Sequence, residues 1–576
     1  MKVLLCAVNA KYIHSNLAVY SLRAYAEKYR DQIEIAEFTI NHYVDDILRE
    51  IYKKKPDFLA FSCYIWNMDM VRELIGEIAK LLPDTVIWVG GPEVSYDAAC
   101  FLDEMRQVKG VMTGEGERSF RALMDYYVEG EGSLEEISGI TFWKNQGQIV
   151  TNPSIDFLEM DELPFMYQDM KDFENKIVYY ESSRGCPFSC SYCLSSIDKR
   201  VRMRSLALVE KELQFFLDRK VPQVKFVDRT FNCNHRHAMG IWNYIKEHDN
   251  GITNFHFEIA ADLINEEELS VLQGMRPGLV QLEIGVQTTN PDTIKEIDRV
   301  MNLEKVKNVV AQIHSFENIH QHLDLIAGLP YEGYDSFVRS FNEVYEMHPN
   351  QLQLGFLKVL KGSKMHRNAE KYGIVYRSHP QYEVLFTRWL SHDELLTLKG
   401  VEEMVEVYYN SFQFAHTIAA LEREFDQPFE MFLKLSEYYE RNGLNHINHS
   451  RMARFEILRD FILDLETGRE KWYENWLIFD LYLRENSKSR PVWAKDPVQW
   501  KEEAVQFYKK EQKEPFCLKE YEGYTYRQMM NMTHMEVFDI DVLGDGAERE
   551  TAVVFDYRER NPLSGDAVIH RIEISK

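Results

Sequence analysis

Cys186, Cys190 and Cys193 stand in one short run, Arg184-Gly185-Cys186-Pro187-Phe188-Ser189-Cys190-Ser191-Tyr192-Cys193. Thiolates are the usual ligands of iron–sulfur clusters. A Cys-x3-Cys-x2-Cys loop can hold three irons of a [4Fe–4S] cube and leave the fourth iron open to a small molecule. Structural zinc is four-coordinate, and no fourth Cys or His lies within this loop. The plain alternatives are a zinc loop or three cysteines brought together by chance. With only eight Cys in 576 residues, this spacing argues for a cluster.

The elements that must position the loop form an alternating series. Strands are expected over 177–181, 223–228, 254–260, 279–285, 323–327 and 351–357, with helical stretches between them. Six βα units fit a partial barrel of the TIM type, which places chemistry at the carboxyl ends of its strands. The cysteine loop follows the first of these. Upstream, short apolar runs over 3–9, 34–40, 58–64, 85–91 and 110–114 alternate with amphipathic stretches such as 17–28 and 68–82. That pattern predicts a parallel, flavodoxin-like sheet covered on both faces, with ligands at the point where strand order reverses. The expected organisation is therefore α/β: a first domain over 1–135, a linker with a hairpin over 136–176, a barrel over 177–364 and a mostly helical domain over 365–576. Two late strands are expected in the last of these, over 552–557 and 568–574.

Composition narrows the function classes. Net charge is −25, from 67 basic and 92 acidic residues. This disfavours a broad nucleic-acid or anionic-membrane surface, which needs clustered Lys and Arg. No run of 18 apolar residues is present, so no transmembrane helix is expected. The first eight residues read as a β-strand rather than a signal peptide. The five cysteines outside the loop read as single buried thiols of a reducing cytoplasm. The run Cys233-Asn234-His235-Arg236-His237 reads as a helix start capped by Asn232 or Asn234, because alternate helical residues point apart and cannot share one metal.

The cysteine spacing, with Tyr192 before the last cysteine, resembles the radical S-adenosylmethionine (SAM) superfamily. The resemblance implies that Cys186, Cys190 and Cys193 hold a [4Fe–4S] cluster and that SAM chelates the open iron. The cluster then cleaves SAM to a 5′-deoxyadenosyl radical. Polar strand ends at 226–232, at Glu258 and Asp262, at 283–287 and at 324–330 resemble the family's SAM-facing motifs. They imply Tyr192, Asp228, Glu258, Gln287 and Asp324 as SAM contacts. The family's Gly-Gly-Glu is absent after the second strand, where Asp228 stands instead.

The first domain resembles the cobalamin-binding domain that often precedes such a barrel. The matching segments are Asn9-Ala10-Lys11-Tyr12-Ile13-His14-Ser15, Phe61-Ser62-Cys63-Tyr64, Gly90-Gly91-Pro92-Glu93 and Thr113-Gly114-Glu115-Gly116-Glu117. Implied cobalamin contacts are His14, Ser62, Gly90, Gly91, Gly114 and Glu115. His14 lies where some relatives carry Asp-x-His-x-x-Gly, without that Asp and Gly. Together these segments resemble a cobalamin-binding radical SAM protein of an uncharacterised bacterial branch. The implied activity is methylation of an unactivated centre in a small-molecule substrate, with flavodoxin or ferredoxin as reductant. A cobalamin-dependent radical cyclase or rearrangement enzyme would share the same motifs. A non-enzymatic cobalamin or redox sensor would not need the SAM-facing rim.

Replacing Cys186, Cys190 and Cys193 together by Ala is expected to abolish the brown absorption of protein reconstituted anaerobically with iron and sulfide. Cobalamin uptake, read by absorption after gel filtration, should remain.

Overall fold

Val3 to Asn9 are buried along their whole length, which fits a central strand covered on both faces. In the computed structural model, which describes residues 1–145, 147–153 and 157–573, this segment is β1 (Val3–Asn9) of a seven-stranded sheet. The next strands are β2 (Ile33–Thr39), β3 (Phe58–Ser62), β4 (Val86–Gly90) and β5 (Gly110–Met112). They run parallel in the order β2-β1-β3-β4-β5. Val71, Leu74, Ile75 and Ile78 of the helix Met68–Leu81 pack on Phe61, Ile87 and Val89 in one core. The chain leaves β1 for β2 on one side and takes up β3 on the other. The carboxyl ends of β1 and β3 therefore diverge and open a crevice.

The hairpin expected in the linker lies elsewhere. β6 (Ile140–Asn145) and β7 (Gln148–Asn152) extend the first sheet antiparallel to β5. Burial of Ile140 and Phe142 accounts for this placement. Gln146, in the hairpin's turn, lies outside the described residues.

The second series opens with β8 (Val178–Tyr180). A short antiparallel ladder of β9 (Ser183–Arg184) and β10 (Arg202–Met203) then brackets the cysteine loop. The later strands are β11 (Gln223–Phe226), β12 (Asn254–Ile259), β13 (Val280–Gln287), β14 (His320–Ala327) and β15 (Gln351–Phe356). The sheet order is β15-β14-β13-β12-β11-β8. Along β13 burial alternates strictly: Val280, Leu282, Ile284 and Val286 are buried, and Gln281, Glu283, Gly285 and Gln287 are partly exposed. One face is thus packed and the other is polar, as period-two alternation dictates. A further small ladder joins β16 (Val375–Tyr376) to β17 (Val384–Phe386).

The chain divides into two compact units, Met1–Ile319 with Ile326–Ser336 and Gly355–His392, and His320–Leu325 with Phe337–Leu354 and Asp393–Lys576. Within the second unit, the helices Pro428–Arg441, Arg451–Asp464, Glu470–Arg484 and Lys501–Lys513 precede an antiparallel sheet. Its strands are β18 (Thr533–Phe538), β19 (Thr551–Arg560) and β20 (Ala567–Ile572). Trp500, Tyr508, Tyr521, Met529 and Val554 form a core there. The sequence pattern shows β19 and β20 but misses β18, because the helix Tyr526–Met532 runs straight into it with no turn residue between. Ile574, the expected end of the last strand, lies outside the described residues. Among the described residues no helix is long and apolar enough to cross a membrane.

Gly91 sets the carboxyl end of β4. Its backbone (φ +115°, ψ 172°) lies in a region essentially restricted to glycine. An added Cβ would also collide with the Cys63 carbonyl oxygen. Gly91→Ala is expected to lower stability by about 1–3 kcal/mol in urea unfolding. Gly76→Ala, in a helix with open space around the new methyl, should instead be neutral or raise stability by up to about 1 kcal/mol.

Candidate functional site

The cysteine loop is held at several points by its backbone. Cys186 N–H donates to the Asp198 carbonyl (3.0 Å), and Ser191 N–H donates to the Ile297 carbonyl (2.9 Å). The Ser191 carbonyl accepts from Met365 N–H (2.7 Å). Gly185 has φ +92°, and a Cβ there would strike the Arg200 carbonyl. The turn into Cys186 therefore requires glycine. All eight cysteines are free thiols, with Cys186 and Cys190 buried and Cys193 partly exposed. Three unpaired thiols on a braced loop suit a cluster with three protein ligands.

Sequence reasoning missed Arg299. Its Nη1 lies 3.8 Å from Cys190 Sγ and donates to the Tyr192 hydroxyl at 3.1 Å, while Nη2 donates to the Gly285 carbonyl. Burial pushes the Cys190 thiol up, and the Arg299 guanidinium opposes that shift. This buried cation favours an anionic ligand set at the loop. Tyr192 is thus tied to Arg299 beside the cysteines.

Arg184, two residues before Cys186, carries the densest ionic contacts of the site. Its Nη2 meets Glu117 Oε1 at 2.6 Å and its Nε meets Glu181 Oε2 at 2.9 Å. Glu117 also accepts from Ser21 Oγ at 2.8 Å. Arg202, opposite Arg184 on the β9–β10 ladder, pairs with Glu115 and with Asp198 at 3.1 Å. Burial pushes the Glu117 carboxyl up, but Arg184 and the Ser21 hydrogen bond more than offset it, and the net shift is down. Burial pushes Glu181 up, and there it prevails over Arg184.

These contacts revise two expected roles. Glu115 directs its carboxylate to Arg202 and to Leu158 N–H (3.1 Å), so it joins the first domain to the cysteine ladder while still lining the larger cavity. Asp228 is almost fully buried. Its two oxygens accept from Ser182 N–H (3.0 Å), Ser182 Oγ (2.7 Å) and Ser183 Oγ (2.5 Å). It braces the backbone ahead of the loop, which leaves no lone carboxylate for SAM. Cys233–His237 is a helix start: Asn234 caps the helix His235–Glu247, His235 turns to Glu267 and His237 to Ser182.

The polar face of the second sheet gathers other expected residues. Glu258 and Glu283 stand side by side on β12 and β13, and Glu283 accepts from Lys225 (3.1 Å) and pairs with His256 (2.9 Å). Gln287 has φ +73° and a buried amide oxygen without a hydrogen-bond partner among the described residues. A strained residue with an orphaned acceptor is a ligand-facing feature. Asp324 pairs with His322 at 3.0 Å.

At the crevice between β1 and β3 two cavities adjoin. The smaller, of about 380 Å³, is walled by Leu5, Ala60, Ser62, Gly90, Gly91 and Met112, and Gly114 borders both. Ser62 is buried and accepts from Asn16 Nδ2 at 3.2 Å. The larger, of about 680 Å³, runs from Asn9 and His14 to Gly185, Leu194 and Ser195 of the cysteine segment. The His14 ring sits on that wall, with Nδ1 2.6 Å from the Tyr179 hydroxyl. His14 thus bridges the first domain to β8 and leaves only Nε2 for other contacts. Burial lowers its pKa.

A doubly wound sheet followed by a partial barrel with a three-cysteine loop defines the class: an α/β protein with a candidate cluster loop. Family models agree with both halves, matching a B12 binding domain over residues 3–124 and the radical SAM superfamily over 180–344. A third, described as a protein of unknown function (DUF4080), matches residues 370–555. An uncharacterized methyltransferase, PH0819, of Pyrococcus horikoshii is 26% identical over 299 residues, 50% of this chain and 63% of that protein. The cobalamin-dependent radical SAM methyltransferase TokK of Streptomyces tokunonensis is 24% identical over 409 residues, 64% of this chain and 57% of that protein. The matched regions span less than two thirds of either relative. The structure of OxsB, a cobalamin-dependent S-adenosylmethionine radical enzyme, superposes with a TM-score of 0.58 at 15% identity, covering 83% of this chain and 80% of that one. At that identity the likeness shows the fold. The chain thus carries, in order, regions that match a B12 binding domain, the radical SAM superfamily and DUF4080.

Arg184→Met leaves the buried Glu117 and the partly buried Glu181 without their cation and is expected to cost about 3–5 kcal/mol in urea unfolding. The Glu117 contribution has a defined pH window. Its folded pKa lies below the ordinary glutamate value of about 4.3, so the stabilisation is complete above that pH. It fades as pH falls through the lowered folded value. Glu117→Gln should remove this part of the acid-induced loss, measured as unfolding midpoints from pH 6 to pH 3.

Proposed function

We propose that this chain is a cobalamin-dependent radical SAM enzyme that methylates an unactivated centre of a small-molecule substrate. The observation that carries the reading is the larger cavity, one space walled both by the first domain's strand-end loops and by the cysteine segment. In this reading Cys186, Cys190 and Cys193 ligate the cluster. Tyr192, Glu258, Gln287 and Asp324 serve SAM, Asp324 by resemblance alone. Ser62, Gly90, Gly91 and Gly114 line the crevice for cobalamin, and His14 stands on the substrate side. When bound, the cluster would supply the electron that cleaves SAM, and cobalamin would carry the methyl group.

The protein's own residues position and shield. The orphaned Gln287 amide oxygen can accept from an ammonium group. Arg299 holds positive charge beside Cys190 and fixes the Tyr192 ring. Tyr64 and Trp66, stacked at 4.4 Å, wall the cavity against water. The free thiols support a reducing cytoplasmic setting, with flavodoxin or ferredoxin as electron donor.

The full chain, reconstituted anaerobically with iron, sulfide and hydroxocobalamin, should turn SAM and reductant into 5′-deoxyadenosine. In the presence of substrate it should also form S-adenosylhomocysteine. Formation of 5′-deoxyadenosine without S-adenosylhomocysteine would replace methylation by a radical rearrangement. Formation of neither would defeat the reading.

A further inference from the structure

The wall of the larger cavity carries four carboxylates and two guanidinium groups, those of Arg184 and Arg229. Its acidic wall residues are engaged within the protein: Glu117 and Glu181 by Arg184, Glu115 and Asp198 by Arg202. Arg229 is different. It lines the same cavity, is exposed, and makes no ion pair or side-chain hydrogen bond with any described residue. It is nevertheless well placed. Asp228, its neighbour, is locked by the hydroxyls of Ser182 and Ser183, so the backbone presenting Arg229 is fixed just past β11. Tyr64 lines the same cavity; burial pushes its hydroxyl up and the Arg229 charge opposes this. The Tyr64 ring in turn stacks on Trp66, with planes 6° apart.

We infer that Arg229 is the specificity-determining anion receptor of this cavity, and that the substrate carries a carboxylate or phosphate next to a flat or apolar body. The inference rests on the cavity being the reaction chamber proposed above. A guanidinium presents a planar fork of donors that suits two oxygens of an anion, and such charge-assisted bonds are about twice as strong as neutral ones. The Tyr64–Trp66 stack supplies the apolar surface alongside. Arg229 is not on the wall of the smaller cavity, which argues against the nucleotide tail of cobalamin as its partner. A substrate anion and the carboxylate of SAM share the required chemistry, and the test separates them.

The full chain, reconstituted with iron, sulfide and cobalamin, is titrated calorimetrically with inorganic pyrophosphate as probe and, separately, with SAM. The wild type should bind pyrophosphate saturably at one site. Arg229→Gln should weaken this by about tenfold or more and Arg229→Lys by less, both with unchanged urea midpoints and unchanged SAM affinity. The inference is overturned if the wild type shows no saturable binding, or if Arg229→Gln binds pyrophosphate like the wild type. An equal loss of SAM affinity would assign Arg229 to SAM and overturn the substrate assignment. Cluster absorbance in the same samples reports separately on the proposed function. Should no cluster form, pyrophosphate titration of the cofactor-free chain still reads Arg229.

Discussion

The site depends on one partly buried guanidinium. Arg184 lies just ahead of the cysteine loop, and its charge is balanced by Glu117 from the first domain and Glu181 from the end of β8. Removing such a pair from water is costly unless geometry and further hydrogen bonds compensate. Here Ser21 completes Glu117, and Arg202 with Glu115 adds a second bridge across the same junction. Ion pairs of this kind specify position more than they add stability. They fix where the cysteine segment stands relative to the strand ends of the first sheet.

That placement gives the cavities their meaning. Glu117 belongs to the helix Gly116–Met124, whose first residues border the crevice between β1 and β3. Arg184 begins the loop that carries the thiols. A ligand in the crevice and a cluster on the loop would therefore share one braced wall. Asp228 plays the corresponding part from the barrel side by holding Ser182 and Ser183, and Arg299 closes the far end of the loop at Tyr192. Three charged groups thus surround one short segment, each acting as a brace. Among the described residues, the Gln287 amide oxygen and the Arg229 guanidinium are two polar groups without a protein partner, and both are able to meet ligands.

Both domain types were legible in the sequence. Continuous apolar runs such as β1 signal a parallel sheet, strict alternation as in β13 signals a half-buried one, and Cys-x3-Cys-x2-Cys is a spacing that few other functions produce. Short-range patterns carry that information because strand period and loop length are local properties. Strand ends were readable to within a few residues, whereas β18 escaped because no turn residue separates it from the preceding helix. The hairpin β6–β7 was legible as a hairpin but not as part of the first sheet, since pairing with β5 is a long-range choice driven by burial of Ile140 and Phe142.

By itself the sequence determined the chemistry on offer: thiols at cluster spacing, strand-end glycines, and a polar rim on an alternating barrel. Only the tertiary structure decided which polar residues are spent and which remain available. Asp228 and Glu115 look like ligand groups in one dimension, but their carboxylates are engaged by serine hydroxyls and by Arg202. Arg184, Arg299 and Arg229 look alike as isolated cations, yet one is a brace, one tunes a thiol and one faces open space. The reason is physical. A buried charge must find a partner, that partner lies 67 residues away for Arg184 and 109 for Arg299, and only folding brings such groups into contact.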